Sequence, residues 1–367
     1  MIWLAVPALA SACYWVLVLA AAARWRKPKP SLRNDTPISV LKPVHGRDPH
    51  FYEAIRSHAL QNYPQFQILF GISDAQDPAA GDIRRLMAEF PAKDIGLIAT
   101  STRYPNRKVG VLSDLAAQAR YPLLLINDSD ISVPPDYLHQ TAALLDSPGV
   151  GLVTCLYRAH SNHLPGQWEA LGIATEFAPS VLVARMLGSN EFALGSTMLL
   201  RADDLKRIGG FAALGDYLAD DYQLGCRIRD LGLRVELAPV VVETHLDGQT
   251  WRDVWRHQLR WSRTIRASRP GGYFGYLITH ATFWSLMAAL AGAWQAAIGV
   301  LAVRLAAGML VSARVLDDRT SLRHAWWIPF RDLWGFAIWA GGVAGHTVHW
   351  RGSKIKISTD GKILSDL

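Results

Sequence analysis

The side chains best placed for chemistry are carboxylates that follow short apolar runs. Asp128-Ser129-Asp130 comes directly after Leu123-Leu124-Leu125-Ile126-Asn127. Two carboxylates one residue apart at a strand end can both reach one hard cation. Mg²⁺ and Mn²⁺ take such oxygen ligands and commonly bridge to substrate phosphates. Asp and Ser also make solvated turns and helix caps, so the spacing alone leaves both readings open. Asp74, in Ile72-Ser73-Asp74-Ala75-Gln76-Asp77-Pro78, ends another apolar run. It is either a turn residue or an acceptor for a nucleobase or ribose. Lys108, in Asn106-Arg107-Lys108, either faces a diphosphate or is solvated at the surface. Asp220-Asp221-Tyr222 precedes a helix-like stretch. It reads either as an acidic helix N-terminus or as a general base for an acceptor hydroxyl, a role that typically contributes about 10²–10⁴-fold.

The elements that must position these groups alternate. Apolar runs at 37–41, 66–72, 97–100, 123–126 and 151–156 read as strands. Helical periodicity fills 52–60, 80–90, 111–119 and 137–145. Short, wholly apolar strands alternating with helices predict an α/β domain around a mostly parallel sheet covered on both faces. Such sheets bind ligands beyond the carboxyl ends of their strands. Lys42, Asp74 and Asp128 all follow strand-like runs.

Composition bounds the rest. The chain has 367 residues, 50% hydrophobic and 19% charged, with 38 basic against 31 acidic side chains and a formal net charge of +7. Extensive disorder is excluded by the high hydrophobicity. Cys13, Cys155 and Cys226 lie too far apart in sequence for a disulfide scaffold or a zinc-type spacing. Residues 2–23 form an uncharged apolar run followed by Arg24-Trp25-Arg26-Lys27-Pro28-Lys29. Its length suits one bilayer crossing. Charge after the run rather than before it indicates an uncleaved anchor with a cytoplasmic basic flank. Further spans are expected at 273–292, at 293–313 with Arg304 inside it, and at 333–348, which is short enough to be re-entrant. Arg252, Arg256, Arg260 and Arg263 share one helical face, beside a stripe of Trp251, Trp255 and Leu259. That pattern predicts an amphipathic interface helix. An integral-membrane chain carrying a parallel sheet argues against nucleic acid as partner. The expected organisation is an anchor at 1–24, a catalytic domain at 34–250, an interface helix at 251–270, a membrane region at 273–348 and a basic cytosolic tail at 349–367.

Read in order, these features resemble membrane-bound family-2-type glycosyltransferases of the GT-A (Rossmann-like) fold. Within them the chain is similar to the ceramide glucosyltransferase-like group, and most of all to the bacterial hopanoid biosynthesis-associated glycosyltransferases. The resemblance is carried by Ser39-Val40-Leu41-Lys42-Pro43, by Asp74 in ISDAQDP and by Asp128 and Asp130 in NDSDI. It continues through Gly195 in LGSTMLLR, Gly209-Gly210-Phe211, Asp221 in LADDY and Arg260-Trp261 in HQLRW. GLVTCLYR at 151–158 and PSVLVAR at 179–185 favour the hopanoid branch. Two positions depart from the family pattern: His257 stands where Gln or Arg is usual, and Asp220 where Glu is common.

The resemblance implies a catalytic base at Asp221. It implies donor contacts from Lys42, Asp74, Lys108, Asp128, Arg260 and Trp261, and Mg²⁺ or Mn²⁺ on Asp128 and Asp130. Gly195, Asp220 and His257 would lie toward the acceptor. The donor would be a UDP-sugar and the acceptor a membrane lipid in the bilayer. Transfer of N-acetylglucosamine from UDP-N-acetylglucosamine to bacteriohopanetetrol is expected first, and UDP-glucose to ceramide second. The enzyme would sit in a bacterial inner membrane, multi-pass, with its catalytic domain in the cytoplasm. A non-catalytic nucleotide-sugar-binding or transport protein is the competing class, and Arg304 is the residue such a protein would use.

Overall fold

The computed structural model describes residues 2–26, 35–189, 191–350 and 353–366. Lys27 to Lys29 of the basic flank, Asn34 at the expected domain start, and Arg351-Gly352 of the basic tail lie outside the described residues. The chain divides into two compact units. One comprises Lys27–Tyr157 and Ser189–His245, the other Met1–Arg26, Arg158–Gly188 and Leu246–Leu367.

The first of these is built on seven strands: β1 Ile38–Val44, β2 Phe66–Ile72, β3 Asp94–Ala99, β4 Leu123–Ile126, β5 Val150–His160, β6 Met198–Arg201 and β7 Arg234–His245. Their order is β3-β2-β1-β4-β6-β5-β7. β3, β2, β1 and β4 run parallel, and β6 is antiparallel to both β4 and β5. Alternate side chains leave a strand on opposite faces, and the core follows that rule. Val40, Ile68, Phe70 and Leu125 join Ile55, Ile83 and Leu86 on one side. Leu41, Leu69, Leu124 and Ile126 join Leu112, Leu115, Leu224 and Ile228 on the other. Burial on both faces is why the central strands read as unbroken apolar runs.

β1 continues through Lys42-Pro43 to Val44 rather than stopping at Leu41. Its pairing with β4 ends at Leu41↔Ile126, so Pro43 is matched only to Gly71 of β2. A residue without an N–H is tolerated where one side of the strand has no partner. The helix expected at 111–119 is observed at Arg107–Gln118, four residues earlier, because the Asn106 side chain caps it by accepting from Val109 N–H at 3.3 Å. That shift places Lys108 in the first helical turn.

The other unit is largely helical. The helix Ile2–Arg24 packs on Ala178–Met186, Ala281–Leu290 and Trp294–Leu310. The segment Arg158–Gly188 therefore belongs to this unit, although the sequence placed it inside a continuous catalytic domain. Its apolar helices bury themselves against the first helix. Among the described residues two helices, Val6–Arg24 and Trp294–Val315, are long and apolar enough to cross a membrane. The stretch expected to span at 273–292 is instead broken into Pro270–Gly275, Tyr276–Thr279 and Ala281–Leu290. The break comes at the 3-10 turn Tyr276–Thr279 and at His280, after which a new helix begins. The last apolar helix, Ile328–Gly342, has 15 residues. At 1.5 Å each it falls short of a roughly 30 Å hydrocarbon core. The expected basic tail folds into an antiparallel sheet: β8 Thr347–Trp350, β9 Ser353–Ile357 and β10 Ile363–Asp366. Ser-Lys-Ile-Lys-Ile alternates polar and apolar residues, and Ile355 and Ile357 are buried.

Arg304 is fully buried. Its Nη2 donates to Asp332 Oδ1 at 2.6 Å, and its Nε lies 3.1 Å from both carboxylate oxygens. The guanidinium stands 4.0 Å from the Trp15 ring centroid. This is an interhelical contact, which accounts for a charge within an apolar helix without invoking transport.

The helix Trp251–Ser268 begins with a capping box between Thr250 and Asp253. Its Trp stripe is used inside the unit: Trp255 meets Trp334 edge-on at 5.1 Å, and Trp251 meets Trp168 at 6.0 Å. Arg263 donates to the carbonyls of Ala344 and Thr347, and Arg266 to those of Val343 and Gly345. These arginines tie the helix to the final turn and sheet.

Candidate active site

The parallel strands point their carboxyl ends to one edge of the sheet, and the chemistry gathers there. Asp128 lies two residues beyond β4 and Asp74 two residues beyond β2. Lys108 Nζ reaches Asp128 Oδ1 at 2.8 Å and Asp220 Oδ2 at 3.3 Å. Asp220 and Asp221 open the helix Asp220–Asp230, where the positive end of the helix dipole favours acidic residues. Asp221 accepts from Gly195 N–H at 3.0 Å and Tyr222 N–H at 2.7 Å, so both of its oxygens are fixed. A Cβ at Gly195 would stand 3.1 Å from Asp128 Oδ2, 3.5 Å from Asp221 Oδ2 and 3.6 Å from Lys108 Nζ. A glycine there keeps the space between the three groups open.

The electrostatics separate their roles. Burial, reinforced by Asp220, pushes the Asp221 carboxyl up to about 6 against the opposing pull of Lys108 and the Tyr222 N–H. A carboxylate poised near neutrality suits general-base work. Burial works against the Lys108 charge, but Asp128 and Asp220 outweigh it and hold the ammonium well above its ordinary range. Asp130 is raised by burial and then by Asp128, with a further contribution from Asp48, although the Thr244 hydroxyl donates to it. The cluster is thus short of positive charge, and its donors are hard carboxylate oxygens. Both features fit a divalent cation on Asp128 and Asp130.

Lys42 is placed differently from the sequence expectation. It is fully buried, with Nζ donating to the Asp128 carbonyl at 3.0 Å and lying 3.0 Å from His58 Nε2. Burial pulls its ammonium down to about 7 against the attraction of Asp130 and Asp128. Buried there, it holds the backbone of the D-x-D turn. Asp74 is exposed and closes a turn by accepting from Gln76 N–H at 2.9 Å. His257, Arg260 and Trp261 belong to the helical unit. There His257 Nδ1 lies 2.6 Å from Glu169 Oε1, and Trp261 packs against Phe177 and the His257 ring.

Several residues of the site were not singled out in the sequence. Thr244 reaches Asp130 from the end of β7, and Ser129 Oγ donates to Asp48 at 3.4 Å. Asn127 donates to the Ser196 carbonyl and to Tyr137 Oη, which steadies the turn before Asp128. His50 and His245 stack with ring centroids 4.3 Å apart. Of these only Asn127 carried a local signal, as the polar residue that stops β4.

Comparison with known proteins gives the family. The model of glycosyl transferase family 21 matches residues 3–363. The chain belongs to that family. Among curated relatives, ceramide glucosyltransferase 1 of Caenorhabditis elegans is 26% identical over 215 residues, which is 58% of this chain and 45% of the relative. The probable glycosyltransferase YdaM of Bacillus subtilis (strain 168) is 22% identical over 259 residues, 65% of this chain and 57% of the relative. The chain spans about half the length of the curated relatives it matches. Mannosyltransferase PcManGT from Pyrobaculum calidifontis, solved in complex with GDP-Man and Mn²⁺, superposes with a TM-score of 0.57 at 21% identity, covering 93% of this chain and 97% of that one. The shared fold is of the GT-A type.

Proposed function

We propose that this family 21 member is an inverting glycosyltransferase that moves a sugar from a UDP-sugar to a hydroxyl of a membrane lipid. The observation that carries the reading is Asp221, held by two backbone N–H groups and raised toward neutrality, beside the Lys108–Asp128 pair. In this reading Asp221 removes the proton from the acceptor hydroxyl. The hydroxyl oxygen forms a bond to the anomeric carbon as the carbon–oxygen bond to the diphosphate breaks on the opposite face. UDP leaves with the bonding pair and the configuration inverts. Asp128 and Asp130 would hold Mg²⁺ or Mn²⁺, which when bound supplies Lewis-acid stabilisation of the leaving diphosphate. Lys108 places a second positive charge near it, and Asp74 accepts from the uridine. Lys42 is a positioning residue for Asp128. The sequence resemblance assigns Arg260 and Trp261 to donor and acceptor; within the helical unit His257 is oriented by Glu169.

The two helices long enough to cross a membrane support a bilayer-anchored enzyme; a catalytic unit at the cytoplasmic surface of a bacterial inner membrane rests on the sequence resemblance. The finer assignment is N-acetylglucosamine from UDP-N-acetylglucosamine to bacteriohopanetetrol, supported by the sequence resemblance to the hopanoid branch. Glucosyl transfer to ceramide is the second reading, because curated family relatives are named ceramide glucosyltransferases. The test is radiolabelled sugar transfer into lipid extracts. Asp221→Asn is expected to lose 10²-fold or more of transfer, in line with the usual contribution of a general base, while still binding UDP-sugar. Transfer at the wild-type rate by this variant, or donor binding lost along with transfer, refutes the assignment of the base.

A further inference from the structure

The helical unit contains a cavity of about 160 Å³. It is walled by aromatic and aliphatic side chains, among them Phe177, Trp261, Tyr273, Tyr276, Ile338 and Trp339. Such a lining binds apolar rings or chains. Its polar residues set it apart from an ordinary core void. Glu169, Glu176, Gln258 and Arg331 all line it. Glu169, Gln258 and Arg331 are at least nine-tenths buried.

Each of the four carries a buried polar atom with no hydrogen-bond partner: Glu169 Oε2, Glu176 Oε1, Gln258 Nε2, and both Nε and Nη1 of Arg331. In Glu169 and Gln258 the other polar atom is committed. Glu169 Oε1 holds His257, and Gln258 Oε1 accepts from Trp334 Nε1 at 2.8 Å. Arg331 Nη1 lies 3.3 Å from Glu176 Oε1, close enough for charge attraction but without hydrogen-bond alignment. Leaving a buried polar group unsatisfied is costly. Four residues that carry such atoms line this one cavity, which calls for a ligand that supplies the missing bonds.

The backbone is shaped around these groups. A Cβ at Gly172 would come within 2.2 Å of the Arg331 guanidinium, and one at Gly335 within 3.1 Å of Glu176 Oε2. Glu176 itself lies on a π-helical turn, Ile173–Phe177, a distortion often found at functional sites. Two carboxylate acceptors and the Arg331 and Gln258 donors, set in an apolar wall, match a group that both donates and accepts. A hydroxyl does so, and a polyol does so repeatedly.

We propose that this cavity binds the hydroxylated end of the acceptor lipid, with Glu176 and Arg331 orienting its hydroxyls and the aromatic wall holding the adjoining apolar body. This deepens the lipid-acceptor reading and rests on it. The ligand is an uncharged amphiphile, because an anionic headgroup would face Glu169 and Glu176, and a cationic one would face Arg331.

The test uses the full chain in nanodiscs. Binding of bacteriohopanetetrol, ceramide and the hydroxyl-free hydrocarbon squalene is followed by native mass spectrometry, and transfer kinetics are measured on the same preparations. Two variants are compared with wild type. Glu176→Gln keeps the shape and removes the charge, and Ile338→Trp fills the space. The expected result is that one of the two hydroxylated lipids binds and squalene does not. In both variants the KM for that lipid rises at least tenfold, while the KM for UDP-sugar stays near wild type; Ile338→Trp keeps the wild-type melting temperature, and Glu176→Gln, which leaves buried Arg331 without its counter-charge, melts earlier but is folded at the assay temperature. Squalene binding as well as the hydroxylated lipids overturns the proposal, as does an unchanged lipid KM in a folded Ile338→Trp or Glu176→Gln variant. The two readings fail separately. Wild-type transfer to a lipid with unchanged lipid KM in both variants removes the cavity and leaves the enzyme. Lipid bound in the cavity with no sugar transferred to any lipid removes the enzyme and leaves the cavity as an amphiphile site.

Discussion

Lys108→Met is the perturbation that probes the site most directly. The side chain keeps its length and loses its charge. Lys108 Nζ and Asp221 Oδ2 both lie within 3.6 Å of the point where a Gly195 Cβ would stand, so they are no more than about 7 Å apart. At an effective dielectric constant near 20, a unit-charge pair at that distance interacts by about 2 kcal/mol. That corresponds to between one and two pH units. In the wild type Lys108 acts to lower the Asp221 carboxyl, which burial and Asp220 raise to about 6. Removing the ammonium therefore raises it further. The base works only when deprotonated, so activity is lost as pH falls through its pKa. The acid limb of kcat/KM, which reports the free enzyme, should move from near pH 6 to roughly 7–8. At pH 6.5 the variant should be far more impaired than at pH 9. The assay is a pH profile of lipid glycosylation from pH 5 to 10 at saturating metal, with a mixed buffer of constant ionic strength. An acid limb that stays in place, or moves to lower pH, would refute the argument that these two groups share one electrostatic field. A uniform drop at every pH would mean that Lys108 acts on the donor alone.

Gly195→Ala should reduce kcat/KM by at least tenfold with little change in melting temperature, because its methyl would press on Asp128 at 3.1 Å; wild-type kinetics would show that the gap between Asp128 and Asp221 is not used. EDTA should abolish transfer and either Mg²⁺ or Mn²⁺ should restore it, and full activity after exhaustive chelation would remove the metal from the proposal. Arg304→Met leaves Asp332 buried without its partner and should cost about 3–5 kcal/mol of stability, read as an early melt in detergent. Arg304→Met combined with Asp332→Leu should recover most of that loss, and a double variant as unstable as the single one would contradict the pairing argument.

How much of this was legible in the sequence depended on how local the cause was. β2, β4 and the helix Tyr137–Leu145 could be read to the residue, because each is an apolar or periodic run closed by a polar turn. Asp128, Asp220, Asp221 and Lys108 were legible as candidates, but their convergence was not, since it is made by Gly195 and by the order of strands from distant parts of the chain. β6 and β7 went unread. β6 offers only Met198-Leu199-Leu200 before the charged Arg201, and the apolar run of β7 from Leu237 to Val242 is interrupted by Pro239, a residue that argues against a strand interior. The buried place of Lys42 was hidden by its charge: nothing nearby in sequence announces that the Asp128 carbonyl will lie above it. The cavity was invisible for a similar reason, because its walls come from four separate segments.

The interleaving of the two units sets an order on synthesis. Trp15 donates to the Thr279 carbonyl at 3.0 Å and lies under Arg304, yet those partners leave the ribosome more than 260 residues later. At roughly 5–20 residues per second that delay is on the order of ten to fifty seconds. One partner of the first helix, Ala178–Met186, is made before β6 and β7, but its other partners, Ala281–Leu290 and Trp294–Leu310, follow only after all seven described strands of the sheet. Until then the N-terminal helix is met by Ala178–Met186 alone, the stage at which a translocase or chaperone has most to protect.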